Sequence, residues 1–405
     1  MAHDSPEQRW LEVLGKSQPI LGEMLSRGSE EQRQLGYIHT LREICQQPST
    51  WIRTADSMQQ SARELSPLVE SISSLVLSGS GSSEFAGDCV RMVLQKELGV
   101  NAQAIAGGTL LTHGSQALPI GRPGVMVSMA RSGDSPESVG ALALMLKTEP
   151  ELRHLVLTCN GQGSLVKSFL GDSRVRVLTL DDATNDRSLV MTSSFTNLVL
   201  AARVLGLIDD PGRYLSVCTT LSRAAATLLQ EHFGTLAQTS KAPYRRVLYL
   251  GSGSRFAVAR EAALKMLEMT AGRVTTSCET YLGLRHGPMS AVSEDTLIVC
   301  FLSSDLKVRA YEADVLRELA QKQLGLFRVI TGQDVPGDLV GSKDVVIPYQ
   351  GTDDLGDDEM PVLDAIVGQL LGFFRCLREG LSPDAPSQSG VIQRVVQSFP
   401  LHLLG

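Results

Sequence analysis

No run of about 18 apolar residues occurs in this 405-residue chain, so no segment reads as a membrane-spanning helix. The seven cysteines (Cys45, Cys89, Cys159, Cys218, Cys278, Cys300 and Cys376) are odd in number and contain no C-x-x-C pair. Neither a disulfide framework nor a cysteine-built zinc site has the spacing it needs, and a reducing compartment is expected. The seven histidines include no H-x-x-x-H pair, so zinc hydrolysis has no support. There is no basic stripe interleaved with aromatics, and the net charge is −7 with a pI near 5.6. A nucleic-acid partner is therefore not expected, and an anionic ligand must be met by local donors, not by the protein's overall field. Met1-Ala2-His3-Asp4 lacks the basic segment and apolar stretch of a secretory leader, which points to the cytoplasm.

What is present is an ordinary globular composition, 43% hydrophobic and 20% charged, at a length that suits two domains. The first seventy or so residues read as polar and helical, with Thr40 and Glu43 at capping-box spacing. A strand at Ser74-Leu75-Val76-Leu77 then runs into Ser78-Gly79-Ser80-Gly81-Ser82-Ser83 and a helix through Leu98. Apolar runs recur at 125–127, 155–157 and 175–178, separated by helix-length segments. The pattern restarts at Arg246-Val247-Leu248-Tyr249-Leu250, which enters Gly251-Ser252-Gly253-Ser254 and a helix through Met269, with further strands at 297–301 and 327–330. Strands alternating with helices imply crossovers and a mainly parallel sheet. Two such openings about 170 residues apart imply a duplicated α/β unit, joined by a helical stretch near 215–240.

Three serine-rich turns in the first half follow strands and precede helices: Gly81-Ser82-Ser83, Ala130-Arg131-Ser132-Gly133-Asp134-Ser135-Pro136, and Met191-Thr192-Ser193-Ser194. A helix N-terminus offers unpaired N–H groups and partial positive charge, and serine adds donors without bulk, so such turns suit a phosphate. Taken singly, each is better read as a plain loop. Gly79-x-Gly81 does not complete G-x-G-x-x-G and no Walker lysine follows, which removes the dinucleotide and P-loop readings.

The second half carries the titratable groups. Glu261, Lys265 and Glu268 fall at i, i+4 and i+7 on one helix. Spacing alone favours a solvated stripe with an ion pair worth a few tenths of a kcal/mol. The apolar surround of Ala262, Ala263, Met266 and Met269 argues instead for a covered face, where a carboxylate is either paired or raised in pKa. His286, in Leu284-Arg285-His286-Gly287-Pro288, falls before a Gly-Pro turn from which an imidazole could exchange protons with a sugar oxygen, although a lone loop histidine is more often inert.

Taken jointly and in order, these segments resemble the sugar-isomerase (SIS) superfamily over roughly residues 40–400. The pieces that carry the resemblance are Arg131-Ser132-Gly133-Asp134-Ser135-Pro136-Glu137-Ser138, Asp186-Arg187 with Met191 to Ser194, and Ala259 to Glu268. With these go Arg285-His286-Gly287-Pro288 and Gln393-Arg394-Val395-Val396-Gln397. Within the superfamily the set, together with Gln47-Pro48-x-x-Trp51-Ile52-Arg53, is similar to the AgaS group of galactosamine-6-phosphate deaminase/isomerases, also called tagatose-6-phosphate ketose/aldose isomerases.

The resemblance implies an α/β protein: two tandem doubly wound parallel-sheet SIS domains, flavodoxin-like α/β/α sandwiches, behind a helical N-terminal extension. The expected boundaries are 1–55 for the extension, 56–225 and 226–384 for the two domains, and 385–405 for a tail. It implies Ser83, Ser132 and Ser135 as phosphate-binding positions, with Arg131 beside them; Ser82 and Ser193 complete the turn serines expected to bind substrate. Glu268 matches the carboxylate that moves a proton between C1 and C2, and His286 the ring-opening histidine, supplied in the superfamily by a neighbouring subunit. Lys265 is carried over as a further catalytic group and Glu261 as a polar flank of the site. A homodimer or larger homo-oligomer is implied, with no cofactor and no metal.

Two departures stand out. Gln397 falls in the region where glucosamine-6-phosphate synthase, another member of the superfamily, has a tail lysine that assists the sugar chemistry, and Ala2 stands where such an enzyme's glutaminase domain would need a nucleophilic cysteine. Ammonia drawn from glutamine is thus not expected. The expected activity is deaminating isomerisation of an amino-sugar 6-phosphate, most closely galactosamine 6-phosphate. Plain aldose–ketose isomerisation uses the same residues, and a sugar-phosphate-binding regulator would need only the serine turns.

Overall fold

The computed structural model describes residues 6–387, 389–396 and 399–402. Strands covered on both faces lose all their side chains to the interior, so they read as unbroken apolar runs. The apolar runs of the first half become β1 (Ser74–Gly79), β3 (Gly124–Ala130), β4 (Leu152–Thr158) and β5 (Val175–Thr179). The apolar-run criterion passes over β2 (Asn101–Ala106), an alanine-rich strand at a sheet edge with Asn101 and Gln103 exposed. These five form one parallel sheet in the order β2-β1-β3-β4-β5.

The second half repeats the plan with β6 (Arg246–Gly251), β7 (Thr275–Thr280), β8 (Thr296–Phe301), β9 (Phe327–Gly332) and β10 (Val345–Pro348). Their order, β7-β6-β8-β9-β10, is the same doubly wound arrangement, again parallel throughout. The repeat extends to the backbone. Gly81 precedes the Ser82–Leu98 helix at φ 56°, ψ −124°, and Gly253 precedes the Ser254–Met269 helix at φ 56°, ψ −130°. A side chain at either position would be strained, which is why both loops carry glycine there.

The chain divides into two compact units. One, residues 50–186, 193–219 and 390–405, contains the first sheet. Its core includes Val76, Ile105, Met126, Ala141 and Met145 on one cluster and Val156, Leu142, Leu165 and Phe169 on another. The other, residues 1–49, 187–192 and 220–389, contains the second sheet and the N-terminal helices. There Leu248, Leu250, Ile298, Cys300, Leu316 and Ile330 share a core. Each such side chain contributes about 1.5–3 kcal/mol on burial.

Thr40 and Glu43 do not form a capping box. His39 is the N-cap of the Thr40–Cys45 helix and makes no side-chain cap bond. Thr40 gives its N–H and hydroxyl to Asp384, each at 2.7 Å, while Glu43 Oε1 accepts from the Arg187 N–H at 2.6 Å. Long-range carboxylate partners thus replace the local pair.

In the second-sheet unit the Pro361–Arg378 helix lies against the Ser254–Met269 helix with little room to spare. A Cβ added at Gly368 would sit 2.6 Å from the Ala262 Cβ, and one at Gly372 3.0 Å from the Met269 Sδ. The two backbones approach this closely because both positions lack a side chain.

Candidate active site

In open α/β sheets of this order, ligands bind beyond the carboxyl ends of the strands where the winding reverses. In the first sheet that point lies between β1 and β3. β1 runs into Ser82 and Ser83, and β3 into Arg131, Ser132 and Ser135, so five of the sequence-derived positions occupy two turns on neighbouring strands. Ser82, Ser83, Arg131 and Ser132 are buried, and Ser135 is partly exposed.

The second turn is held from behind. Asn160 Nδ2 donates to the Ser132 carbonyl at 2.8 Å, and Leu165 N–H to the Gly133 carbonyl at 2.8 Å. Asp134 Oδ1 accepts from both the N–H and the hydroxyl of Ser164, each at 2.8 Å. Arg131 Nη2 donates to the Arg394 carbonyl at 2.5 Å, and Arg394 in turn donates to the Asp186 carbonyl and to Asn185 Oδ1. The turn's shape is therefore set by fixed groups of its own unit before any ligand arrives.

Ser193 is placed differently. It begins the Ser193–Arg203 helix at 0% exposure, with its N–H on Asp186 Oδ1 at 3.1 Å and its hydroxyl 3.3 Å from Thr50 Oγ1. Asn197 Nδ2 donates to that hydroxyl at 3.2 Å, and Asp186 Oδ2 also takes the Ser194 N–H and hydroxyl. This serine-rich helix start receives its negative charge from within the protein. Asp186 stood in the sequence seven residues upstream, but nothing local announced that role.

In the second-sheet unit, Glu261 and Lys265 are each only 1% exposed and Glu268 is 23% exposed at its side chain. Lys265 Nζ lies 3.4 Å from Glu261 Oε1 and 2.5 Å from Glu268 Oε2. The stripe is covered, not solvated, because Ala259, Ala262, Ala263 and Met266 of the same helix pack inward beneath the Pro361–Arg378 helix. A buried ammonium lies between two carboxylates, and Glu268 is the member within reach of a solute. His286 follows the Tyr281–Leu284 helix on an exposed turn, its N–H on the Gly283 carbonyl at 2.9 Å. No hydrogen bond joins its imidazole to the Glu261–Lys265–Glu268 row among the described residues.

The second sheet's own switch point, between β6 and β8, carries Ser254 and the pair Ser303-Ser304. Asp357 Oδ1 accepts from the Ser304 N–H at 2.8 Å and from its hydroxyl at 3.1 Å, and Asp357 Oδ2 from the Ser303 hydroxyl. The Ser254 hydroxyl donates to Asp358. Behind them Arg255 forms a two-pronged pair with buried Asp364 at 2.8 and 2.7 Å. Sequence reasoning missed Asp357 and Asp358. The acidic run Asp353 to Glu359 was visible, but not which hydroxyls it would meet.

Burial pushes the thiols of Cys45, Cys159 and Cys300 up to about 12, so they behave as core side chains and not as nucleophiles. Among the described residues no group of three or more His, Cys, Asp or Glu side chains is arranged to hold a metal ion, and no helix is long and apolar enough to cross a membrane. Ala2 and Gln397 lie outside the described residues.

No protein-family model matches the chain. It is 37% identical over 378 residues to a Streptomyces coelicolor protein provisionally named D-galactosamine-6-phosphate deaminase AgaS, covering 91% of this chain and 96% of that one. It is 32% identical to the Escherichia coli D-galactosamine-6-phosphate deaminase AgaS, covering 90% of this chain and 95% of the relative. The chain belongs to the AgaS family. A solved structure from Clostridium novyi, provisionally titled a tagatose-6-phosphate ketose/aldose isomerase, superposes with a TM-score of 0.86 at 28% identity. The match covers 93% of this chain and 98% of that one. The AgaS fold is thus two tandem SIS domains, and both doubly wound sheets of this chain follow it.

Proposed function

We propose that the protein is an enzyme that converts an amino-sugar 6-phosphate, D-galactosamine 6-phosphate, to tagatose 6-phosphate and ammonia. The observation that carries the reading is Glu268: a partly exposed carboxylate bonded at 2.5 Å to a buried ammonium, in a chain 37% identical to an AgaS relative. The serine turns after β1 and β3 take the phosphate, with Ser83, Ser132 and Ser135 donating and Ser82 and Arg131 beside them. Binding energy is thereby supplied away from the reacting carbons.

The chemistry divides into three steps. His286 assists opening of the hemiacetal to the free aldehyde. Glu268 then removes the C2 proton while O1 takes one from solvent, giving an enolamine, and returns its proton to C1, leaving a C1 hydroxymethyl and a protonated C2 ketimine whose extra proton leaves with the ammonia as ammonium. Water adds at C2 and the C2–N bond breaks, releasing ammonia and the ketose. Lys265 fixes the Glu268 carboxylate, and Glu261 balances Lys265 from the other side. The exposure of His286 is compatible with its acting on the substrate of a neighbouring subunit in a homodimer or larger homo-oligomer, and the working compartment in this reading is the cytoplasm.

A plain aldose–ketose isomerase is the second reading, favoured by the name of the Clostridium novyi structure. A C2 hydroxyl in place of the amine gives it with the same residues. Ammonia release from galactosamine 6-phosphate and from glucosamine 6-phosphate decides the matter. Release from the first supports the proposal, release from the second alone reverses the C4 assignment, and release from neither, with a ketose formed from an aldose 6-phosphate, sinks the deaminase.

A further inference from the structure

The two sheets share one strand order, so each has one switch-point crevice, and the second is not empty of charge. The groups gathered between β6 and β8 are those an oxyanion takes: the Ser303 hydroxyl, the Ser304 N–H and the Ser304 hydroxyl. Arg255 Nη1 stands 3.8 Å from the same oxygen, its guanidinium fixed by Asp364. The oxyanion they meet is the Asp357 carboxylate. Glu312 Oε2 takes the neighbouring Ser303 N–H at 2.7 Å. Asp357 opens the short turn Asp357–Glu359, directly before the Pro361–Arg378 helix that covers Lys265.

We propose that the second crevice is an oxyanion site whose ligand is built in. Asp357 fills the place that, in the first sheet, belongs to the phosphate of the substrate. Each chain accordingly takes up one sugar phosphate, and the second crevice works as a clamp on the loop entering the Pro361–Arg378 helix. The parallel with the first sheet rests on the proposed function; the filling by Asp357 stands without it.

Removing the carboxylate leaves a space that formate, the group deleted by Asp357→Ala, can enter. In thermal melts of the full chain, Asp357→Ala should melt below the wild type, and sodium formate should raise it further and saturably relative to sodium chloride at equal ionic strength. The wild type, and Asp357→Asn with its shape retained, should show no such formate-specific rise. A variant that melts with the wild type, or that gains no more from formate than the wild type does, overturns the proposal, as does one that stays unfolded with formate present. A second measurement needs no variant: crystals of the wild type grown in inorganic phosphate should show no anion on Ser303 and Ser304. Phosphate there with Asp357 turned away overturns the idea equally. Failure of the proposed function would appear as absent ammonia release and would leave the formate result unchanged.

Discussion

Replacing Glu268 by glutamine separates chemistry from stability. The amide has the shape of the carboxylate and still offers Lys265 an oxygen at the position now 2.5 Å away, but it cannot take a proton. Positioned proton transfer contributes about 10²–10⁴-fold, or roughly 2.7–5.5 kcal/mol of barrier, and turnover should fall by that factor. The fold should barely notice. Glu268 is 23% exposed, and Lys265 keeps Glu261 at 3.4 Å, so the loss in stability should stay near or below about 1 kcal/mol. Glu261→Gln is the comparison for the fold: it alters a side chain only 1% exposed, so it should be the more destabilising of the two even though Lys265 keeps Glu268. Ammonia release at saturating substrate, with denaturant melts of the same preparations, reads both quantities. Near-wild-type turnover by a folded Glu268→Gln variant refutes the assignment of the proton shuttle.

Three further expectations follow from the geometry. Ser132→Ala should raise KM for the phosphorylated sugar by about 10-fold or more with kcat little changed, since a hydrogen bond to a charged group is worth about 1.5–3 kcal/mol; an unchanged KM in steady-state kinetics would remove Ser132 from phosphate binding. His154 on β4 is fully buried with neither ring nitrogen partnered among the described residues, and burial, with Arg174 adding to it, holds its pKa down to about 4. The unfolded chain takes up that proton near pH 6.5, so His154 should cost the fold about 3 kcal/mol as pH falls from 6.5 to 4, and urea melts of His154→Leu should show a pH slope smaller by one proton in that window. Asp186→Ala strips the carboxylate from the Ser193 and Ser194 N–H groups and should cost about 1–3 kcal/mol in chemical denaturation, where an unchanged midpoint would contradict the capping role.

The interior strands were legible because both faces of β1, β3, β6 and β8 are covered along most of their length, which favours unbroken apolar runs at their centres. The strands that went unmarked, β2, β7 and β10, all lie at sheet edges; β2 and β7 make do with half-exposed Ala, Thr and Ser, and β10 is only the four residues Val345–Pro348. For the candidate site, the common face of Glu261, Lys265 and Glu268 followed from helical spacing. Its cover was indicated by the apolar surround of Ala262, Ala263, Met266 and Met269; the identity of the packing partner was not, because the Pro361–Arg378 helix comes from far along the chain. The carboxylate at Asp357 was illegible for the same reason, more than fifty residues from the serines it meets, and Asp186, though near its serines in sequence, looks the same in a loop whether it faces water or hydroxyls. The capping box failed likewise, since Asp384 outcompeted the local pairing of Thr40 with Glu43.

The near-contact of the Ser254–Met269 and Pro361–Arg378 helices has a genetic consequence. A methyl group at position 368 would stand 2.6 Å from the Ala262 Cβ, which has no rotamer to yield, so one backbone would have to move off the other. A screen for inactive alleles should therefore return residue 368 beside the acid–base positions, although it can form no bond to any sugar. The proposed catalytic row owes its alignment partly to an absent side chain, and a survey guided only by reactive groups would pass it by.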